Sequence, residues 1–414
     1  MARVCIISKS HLPFDARVVR EARALLGAGH TVDVICGQFA DQPFRERAGD
    51  LTIYRLPIAR RRGSKLRYAF EFVTFQLGAA ALAGWLHLRH GYDVVETTSL
   101  PDWLVFAAFI PRLFGARVLL DLHDPAPEYD MTKYQVGPED RSVRLLAFLE
   151  QASIRFADFV TTCSEQMRRR YAERGAPLEK IAVVLNSFDE ERYQPEQIVP
   201  APRNEDEFIL ISHGTIEPNY GLDVVVRAVK LLKDQIPGLR FEIYGDGTHR
   251  QSVRALASEL GLDEQVRFSD GFRPMEEVLP HIAAADVGIV AVRRDAFRDI
   301  TLCIKMFDFV SLRRPVVISR TSAVEAYFGE ECFELFESGD EHDLARAILA
   351  LYRDPQRRAR LVERATLRNE PYRWVHQGRQ YVDIVERLAA RGAPSAERSS
   401  HEERVAAVGE AVRE

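Results

Sequence analysis

The sequence predicts an α/β protein made of two doubly wound domains in tandem. Short runs of β-branched residues alternate with longer amphipathic runs, which is typical of βαβ units and parallel sheets. The alternation stops at Asp189–Glu207, where three prolines lie among charged residues, and then restarts. The length of 414 residues suits two domains of about 200 residues each.

The individual elements follow from these runs. The predicted strands are Val4–Ile7, Thr31–Cys36, Val94–Glu96, Val118–Leu120, Phe159–Thr162, Ala182–Leu185, Phe208–Ile211, Arg240–Tyr244, Val266–Phe268, Val287–Val290 and Val316–Ile318. The predicted helices are Ala16–Ala28, Leu66–Leu88, Asp102–Phe114, Arg141–Phe156, Glu165–Arg174, Leu222–Lys233, Ser252–Leu260 and Met275–Ala284. We assign residues 1–195 to the first domain and 205–372 to the second, and expect 392–414 to be a flexible tail because it lacks a hydrophobic stripe.

Charge and cysteine content narrow the class of protein. The net charge is −5, which argues against a generally basic nucleic-acid binder. The charge is uneven, because residues 1–120 carry 16 basic and 10 acidic side chains. Five scattered cysteines without a Cys-x-x-Cys pair disfavour zinc and disulfides and favour a reducing cytosol. The first residues lack the features of a signal peptide, so we expect a cytoplasmic protein.

A basic run precedes the most apolar predicted helix. Residues 60–67 contain five basic side chains, and the stretch 68–88 is apolar but includes a glutamate and two glycines. A spanning helix is therefore disfavoured. The combination suits an anionic membrane surface, here the inner face of the cytoplasmic membrane, contacted through residues 60–88. A solvated loop before an ordinary core helix is the alternative.

If this protein binds phosphate, it must do so without a dinucleotide-binding fingerprint and without a metal. The sequence contains no Gly-x-Gly-x-x-Gly after the first strand, no Walker loop and no Asp-x-Asp. Instead, Gly214 and Thr215 follow one strand, and the turn holding Gly245 and Gly247 follows the next. Such turns let backbone N–H groups approach an anion, although each alone is often a plain connection.

A third candidate element is the helix predicted to begin near Ile304. Lys305 and Asp308 are three residues apart and therefore share one face of this helix. A lysine at a helix N-terminus opposes the helix dipole unless an anion is bound there. A diphosphate would explain it, and an ordinary ion pair between the two side chains is the alternative.

Four stretches together resemble a known enzyme family. They read HLPFDARVVREARALLGAGHTVDVIC, LLDLHDPAPEYDMTKY, SHGTIEPNYGLD and ITLCIKMFDFVSLRRPVVIS, starting at residues 11, 119, 212 and 300. The chain resembles, over about residues 3–390, retaining glycosyltransferases of the GT-B fold in family 4 (glycosyltransferase group 1), in the branch for bacterial surface polysaccharides. The resemblance implies two Rossmann-like domains facing a cleft, with a helix at 373–391 crossing back to the first domain.

The resemblance also implies a division of labour between the domains. A nucleotide-sugar, UDP- or GDP-linked, would bind the second domain, and a saccharide or lipid-linked acceptor would bind the first. The donor-binding candidates are Gly214, Thr215, Asn219, Gly245, Gly247, Phe272, Ile304, Lys305 and Asp308. The catalytic candidates are His123, beside the donor sugar, and Lys305, facing the diphosphate. The acceptor-binding candidates are His11, Asp15 and Arg17, with neither a metal nor another cofactor required.

Several positions depart from the family pattern or have simpler explanations. The family usually has a cation at Asn219, a proline at Cys303 and a glutamate at Asp308. These departures keep a catalytically degenerate scaffold protein open as an alternative, and a nucleotide-sugar epimerase of the same fold is a further one. Asp15 could simply cap the first helix, and His123 could be held by Asp121 or Asp124 for structural reasons.

Overall fold

The computed structural model describes residues 1–12, 15–58 and 65–390. These residues form two compact units. Met1–Asn186 and the described residues from His376 onward make up the first unit, and Ser187–Val375 make up the second. Each unit is built around one sheet covered by helices.

The first unit contains an eight-stranded sheet in the order β3-β4-β2-β1-β5-β6-β7-β8. The strands are β1 (Arg3–Ile7), β2 (Thr31–Gly37), β3 (Arg45–Ala48), β4 (Leu51–Leu56), β5 (Val94–Thr98), β6 (Arg117–Leu122), β7 (Phe159–Thr162) and β8 (Ile181–Val183). All pairs are parallel except β3 with β4. The central strands β1 and β5 are buried almost throughout because helices cover both faces of a parallel sheet.

The helices of the first unit connect successive strands. They are α1 (Ala16–Gly27), α2 (Lys65–His90), α3 (Phe109–Leu113), α4 (Ala126–Tyr134), α5 (Arg141–Phe156) and α6 (Glu165–Glu173). Asp15 caps α1, because its carboxylate accepts hydrogen bonds from the backbone N–H groups of Arg17 and Val18. Across the described residues, no helix combines the length and the hydrophobicity needed to cross a bilayer.

The second unit contains a six-stranded, fully parallel sheet in the order β11-β10-β9-β12-β13-β14. The strands are β9 (Phe208–His213), β10 (Leu239–Tyr244), β11 (Val266–Phe268), β12 (Val287–Val290), β13 (Val316–Ser319) and β14 (Glu334–Phe336). The helices are α7 (Glu190–Tyr193), α8 (Leu222–Leu232), α9 (Arg250–Glu259), α10 (Met275–Ala284), α11 (Lys305–Ser311), α12 (Ser322–Tyr327), α13 (Glu341–Arg353) and α14 (Pro355–Asn369). Its core packs the valines and leucines of α8 against the sheet and α13.

The last helix, α15 (Trp374–Ala389), joins the first unit from His376 onward. The Gln377 side chain accepts a hydrogen bond from the backbone N–H of Leu185 (2.8 Å). Near the other end of the helix, Glu386 lies 3.1 Å from the buried ring of His30. The helix is therefore fixed to the first unit along its length.

Most predicted elements are present within one to three residues of their predicted ends, but several elements were missed. These are the strands β3, β4 and β14 and the helices α4, α12, α13 and α14. The four residues of β3 are all exposed and three of them are charged, so they carry no hydrophobic signal, and α4 begins among prolines, which its first turn tolerates. The predicted linker holds α7, and the predicted helix from Asp102 starts as a 3₁₀ segment, Asp102–Ala108.

The order of the strands locates the ligand-binding edge of each sheet. Ligands of doubly wound sheets bind at the carboxyl ends of the strands, where the strand order reverses direction. In the second unit the reversal lies between β9 and β12, which lead into Gly214 and into the loop before Lys305. In the first unit it lies between β1 and β5, which lead into Ser8 and Ser99.

Candidate active-site residues in the two units

Gly214 lies directly after β9 in the second unit, and its conformation requires glycine. Its φ is +92°, and an added Cβ would come within 3.0 Å of Cε of Lys305. The backbone N–H of Gly214 donates to the Tyr244 carbonyl (2.7 Å), which holds the turn on the neighbouring strand. The glycine thus allows the lysine side chain to lie across the end of β9.

Lys305, the first residue of α11, places its ammonium against an aromatic ring. Nζ lies 4.0 Å from the centre of the Tyr220 ring. Burial, with a smaller contribution from the charge of Arg298, lowers the pKa of Lys305 to about 8 and outweighs the opposite effects of Cys303 and Asp308. A partly buried cation at this strand edge is an arrangement suited to an anionic ligand.

Arg298 is a second cation of this site that the sequence analysis missed. Its guanidinium carbon lies 4.7 Å from the centre of the same Tyr220 ring. The side chain belongs to the loop between β12 and α11, where the sequence shows only a run of arginines and aspartates, so no periodicity singles it out. Asn219, the position where the family pattern has a cation, precedes Tyr220 in the chain and leaves its Oδ1 buried without a hydrogen bond in the described structure.

Asp308 faces the buried side of the same site. Its carboxylate is nearly buried and lies 3.3 Å from Nε2 of His213, the last residue of β9. Burial and the nearby Lys305 lower the pKa of His213 to about 3, so this histidine is neutral at physiological pH. Nε2 of His213 forms no hydrogen bond in the described structure, so the neutral imidazole is a close polar neighbour of Asp308 and not a second charge.

The remaining donor-binding candidates divide by exposure. An added Cβ on Gly245 or Gly247 would overlap the backbone of Gly214 or Ile216, so both glycines are required for close packing of the two turns. Three other candidates, Thr215, Ile304 and Phe272, are exposed and free to face a ligand. The structure therefore brings Gly214, Asn219, Lys305 and Asp308 to one strand edge, and gives Gly245 and Gly247 a packing role there.

In the first unit, His123 comes directly after β6, and two neighbouring side chains fix its position. Its Nδ1 lies 2.8 Å from a carboxylate oxygen of Asp121, and its backbone N–H donates to Oγ of Ser99 (3.0 Å). Arg17 (2.6 Å) and the hydroxyl of Thr161 (2.7 Å) donate to the other oxygen of Asp121. Burial alone would raise the pKa of Asp121, but Arg17 and His123 outweigh it and hold this pKa well below its usual range. Asp121 is thus an anion that orients His123.

Behind this pair lies a buried cluster of three carboxylates. Oxygen atoms of Glu21, Glu96 and Asp121 lie within 4.8 Å of one another, the spacing of a metal site. However, the guanidinium of Arg17 binds both Glu21 and Asp121, and the hydroxyl of Tyr381 on α15 donates to Glu96. Burial, followed by the charge of Asp121, raises the pKa of Glu96 to about 8. A guanidinium and a protonated carboxyl group therefore balance the charge of this cluster.

The acceptor-binding candidates occupy different environments. Arg17 is buried, and its guanidinium is engaged by Glu21 and Asp121, which leaves it a role in orienting Asp121. Asp15 is the N-cap of α1. The ring of His11 packs against Gly37 and Phe39 at the end of β2, and the two residues that follow Leu12 lie outside the described part of the chain.

Two family models match the chain, one in each unit. A glycosyl transferase 4-like domain matches residues 15–187. The glycosyl transferases group 1 model matches residues 194–368. The matched ranges include His123 and Asp121 in the first unit and Gly214, Lys305 and Asp308 in the second.

Individual proteins agree with this assignment. A GDP-mannose-dependent α-(1-6)-phosphatidylinositol monomannoside mannosyltransferase of Mycolicibacterium smegmatis is 28% identical over 211 residues, which are 49% of this chain and 55% of the relative. A lipopolysaccharide core biosynthesis glycosyltransferase, LpsE of Rhizobium meliloti, is 27% identical over 157 residues, 38% of this chain and 43% of the relative. The chain spans about half the length of the curated relatives it matches.

Similarity of fold extends over almost the whole chain. The sucrose-phosphate synthase of Thermosynechococcus elongatus superposes with a TM-score of 0.75, covering 95% of this chain and all of that protein at 19% identity. At this identity the likeness concerns the fold alone. Both domain models match the chain in order, and its architecture is that of the solved structure. The chain therefore belongs to the group 1, or family 4, glycosyltransferases of the GT-B fold.

Proposed function

We propose that this protein transfers a sugar from a UDP- or GDP-linked donor to a saccharide or lipid-linked acceptor. The reaction retains the anomeric configuration, requires no metal and serves the synthesis of cell-surface polysaccharides. The observation that carries the proposal is the placement of Lys305 and Arg298 around Tyr220 at the switch point of the second sheet. The names of the relatives support the reaction class, since they include a GDP-mannose-dependent enzyme and one of lipopolysaccharide core biosynthesis.

The two cations suit the chemistry of sugar transfer. Breaking the bond between the anomeric carbon and the diphosphate oxygen leaves the electron pair, and thus negative charge, on the leaving diphosphate. The sugar becomes positively charged, as in other reactions at the anomeric centre. Cations already fixed where negative charge develops lower the barrier without reorganising, and this is commonly the largest catalytic contribution. Lys305 and Arg298 supply those charges, and Asp308 binds the ribose hydroxyls.

His123 has a positioning and polarising role in this proposal. Asp121 accepts a hydrogen bond from Nδ1 of His123, which leaves Nε2 of the ring available to a sugar hydroxyl. In a retaining reaction on the leaving-group side, the diphosphate takes the proton of the acceptor hydroxyl, so His123 is not the main base. Arg17 keeps Asp121 ionised and thereby fixes the histidine ring.

The direct test is an assay of donor use and product stereochemistry. The purified protein is incubated with UDP-glucose, UDP-galactose, GDP-mannose and dTDP-rhamnose, with and without a bacterial membrane lipid extract, and the release of nucleoside diphosphate is measured. We expect release with one UDP- or GDP-sugar, and a proton NMR spectrum of the product with the donor's anomeric configuration. No release from any donor would favour the non-catalytic scaffold, and an epimerised free sugar would favour the epimerase.

Turnover is expected to be independent of divalent metal. The donor site described above binds the diphosphate through Lys305 and Arg298, and these cations take the place that Mg²⁺ or Mn²⁺ holds in metal-dependent transferases. Activity measured in 5 mM EDTA should therefore equal the untreated activity within about twofold. A loss of activity in EDTA that manganese reverses would contradict this prediction.

Replacing Arg298 with alanine is expected to weaken binding of the free nucleoside diphosphates UDP or GDP by about 10- to 100-fold, because a charge-assisted contact contributes about 1.5–3 kcal/mol. Titration calorimetry of both nucleotides measures the effect. Adding Asn219→Arg to Arg298→Ala should recover most of the affinity, since it restores a cation beside Tyr220. The matched control is Arg360→Ala, an exposed arginine on α14. Unchanged affinity in Arg298→Ala would remove this residue from the donor site.

A further inference from the structure

Helix α2 carries an exposed stripe made only of apolar side chains. Phe70, Val73, Leu77, Trp85 and Leu88 are exposed, between 54% and 70%. Together with the exposed Ala81, they follow one another at intervals of three or four residues. This spacing places all six on one side of the helix over about five turns.

The opposite side of α2 already forms the contact with its own unit. Phe75, Ala79, Ala83 and Leu86 are at most 1% exposed. The helix is thus apolar on both sides, although a helix on the surface of a water-soluble protein is normally polar on its outer side. The exposed stripe is therefore not needed for the fold of the first unit.

Helix α3 extends the same apolar surface. Ile110 packs against Gly84 of α2, where an added Cβ would come within 2.9 Å of it. Phe109, Leu113 and Phe114 beside it are each about 60–70% exposed. We call the α2 stripe and these three side chains the apolar face. A contiguous exposed apolar surface of this kind marks an interaction site.

The charged side chains around the apolar face are mostly basic. The described arginines of residues 65–90 and 103–117 are Arg67, Arg89, Arg112 and Arg117, and the last two lie 3.9 and 3.3 Å from the carboxylate of Asp158. The one acidic side chain in these segments, Glu71, is 6% exposed and lies 3.5 Å from Arg67. Arg89 lies over the Trp85 ring, with 5.5 Å from the guanidinium carbon to the ring centre. The arginines at 60–62 add to this charge in sequence but lie outside the described residues.

We propose that the apolar face inserts shallowly into an anionic lipid bilayer, with the flanking arginines on the lipid phosphates. Apolar side chains beside a ring of cations match the acyl and headgroup layers of such a membrane. A second copy of the chain fits less well, because two such faces would bring like charges together. The α2 helix then lies in the plane of the membrane surface, since no described helix combines the length and hydropathy needed to span a bilayer.

The experiment is co-sedimentation of the full chain with sonicated vesicles, in the absence of nucleotide and acceptor, so that its result does not depend on the proposed reaction. We expect binding to vesicles containing 30% phosphatidylglycerol at 50 mM salt, a lower bound fraction at 500 mM salt, and little binding to pure phosphatidylcholine. The Trp85 fluorescence should shift to the blue on binding, and this shift should be absent in Trp85→Phe.

Two variants separate the apolar and the charged contributions. Leu77→Ser with Leu113→Ser should weaken vesicle binding by at least about tenfold, because two leucines lose their burial in lipid. Arg67→Ser with Arg89→Ser should weaken binding to anionic vesicles by about fivefold per charge. The matched control, Leu367→Ser, changes a leucine on α14 that is about half exposed, and it should bind like the wild type.

Three outcomes would overturn the proposal. They are absence of the wild-type chain from the phosphatidylglycerol pellet at 50 mM salt, equal binding of Leu77→Ser/Leu113→Ser and the control, and a dimer in sedimentation velocity that this double variant abolishes. The last result would assign the apolar face to a second copy of the chain. The circular dichroism melting temperature of each variant shows that any loss of binding is not a loss of fold.

Discussion

Replacing Lys305 with alanine is expected to lower kcat about 10²–10³-fold, the usual effect of removing one preorganised electrostatic donor. The physical reason is that its ammonium, held against Tyr220 and the Gly214 turn, faces charge that develops on the leaving diphosphate. The KM for the acceptor should change little. Initial rates at varied donor and acceptor concentrations measure both effects.

The control for this variant is Lys233→Ala, which removes a lysine at the end of α8 in the same unit. It should leave kcat unchanged. A near wild-type kcat in Lys305→Ala would exclude the lysine from the catalytic site, whereas a raised donor KM with unchanged kcat would limit it to ground-state binding.

The lowered pKa of Lys305 gives the reaction a pH dependence of known sign. In the free enzyme this pKa is about 8, because burial disfavours the charged form. Above that pH the site loses its ammonium, so kcat/KM for the donor should fall as pH rises through about 8. In Lys305→Met the value should be low throughout and lack this step. A step that persists in Lys305→Met would belong to another group.

Replacing Arg17 with methionine is expected to destabilise the first unit by about 3–5 kcal/mol, the cost of leaving a buried charge without its partner. Arg17 binds both Asp121 and Glu21, and all three side chains are almost fully buried. Urea unfolding followed by circular dichroism measures the change. Because Asp121 also orients His123, we expect kcat to fall even under conditions where the variant is folded.

A second variant distinguishes the lost charge pair from lost packing. Arg17→Met combined with Asp121→Asn removes both opposite charges and should recover part of the stability, though not the activity. Arg23→Met, on the same helix, is the control for substituting an arginine of α1. If Arg17→Met shifted the unfolding free energy by less than about 1 kcal/mol, the ion pair would be as weak as one in solvent.

The predictable part of the fold came from local patterns. Strands such as β1 and β12 are continuous apolar runs, and α5 and α10 begin and end at the predicted residues, because hydrophobic period and capping residues are local properties. The exposed edge strand β3 has no such pattern, and it exists only because β4 offers a partner. Predicting β3 would have required knowing that the fold places β4 beside it.

The same distinction holds for the site. The sequence by itself determined the α/β class, the glycine turn at Gly214 and the face shared by Lys305 and Asp308, because each depends on residues close together in the chain. Only the tertiary structure decided that Arg298 and Lys305 flank the same Tyr220 ring. It also decided that Arg17 is buried against Asp121, 104 positions away. Charges and apolar surfaces act through distances in space, and those distances are set by the packing of strands and helices that are remote in sequence.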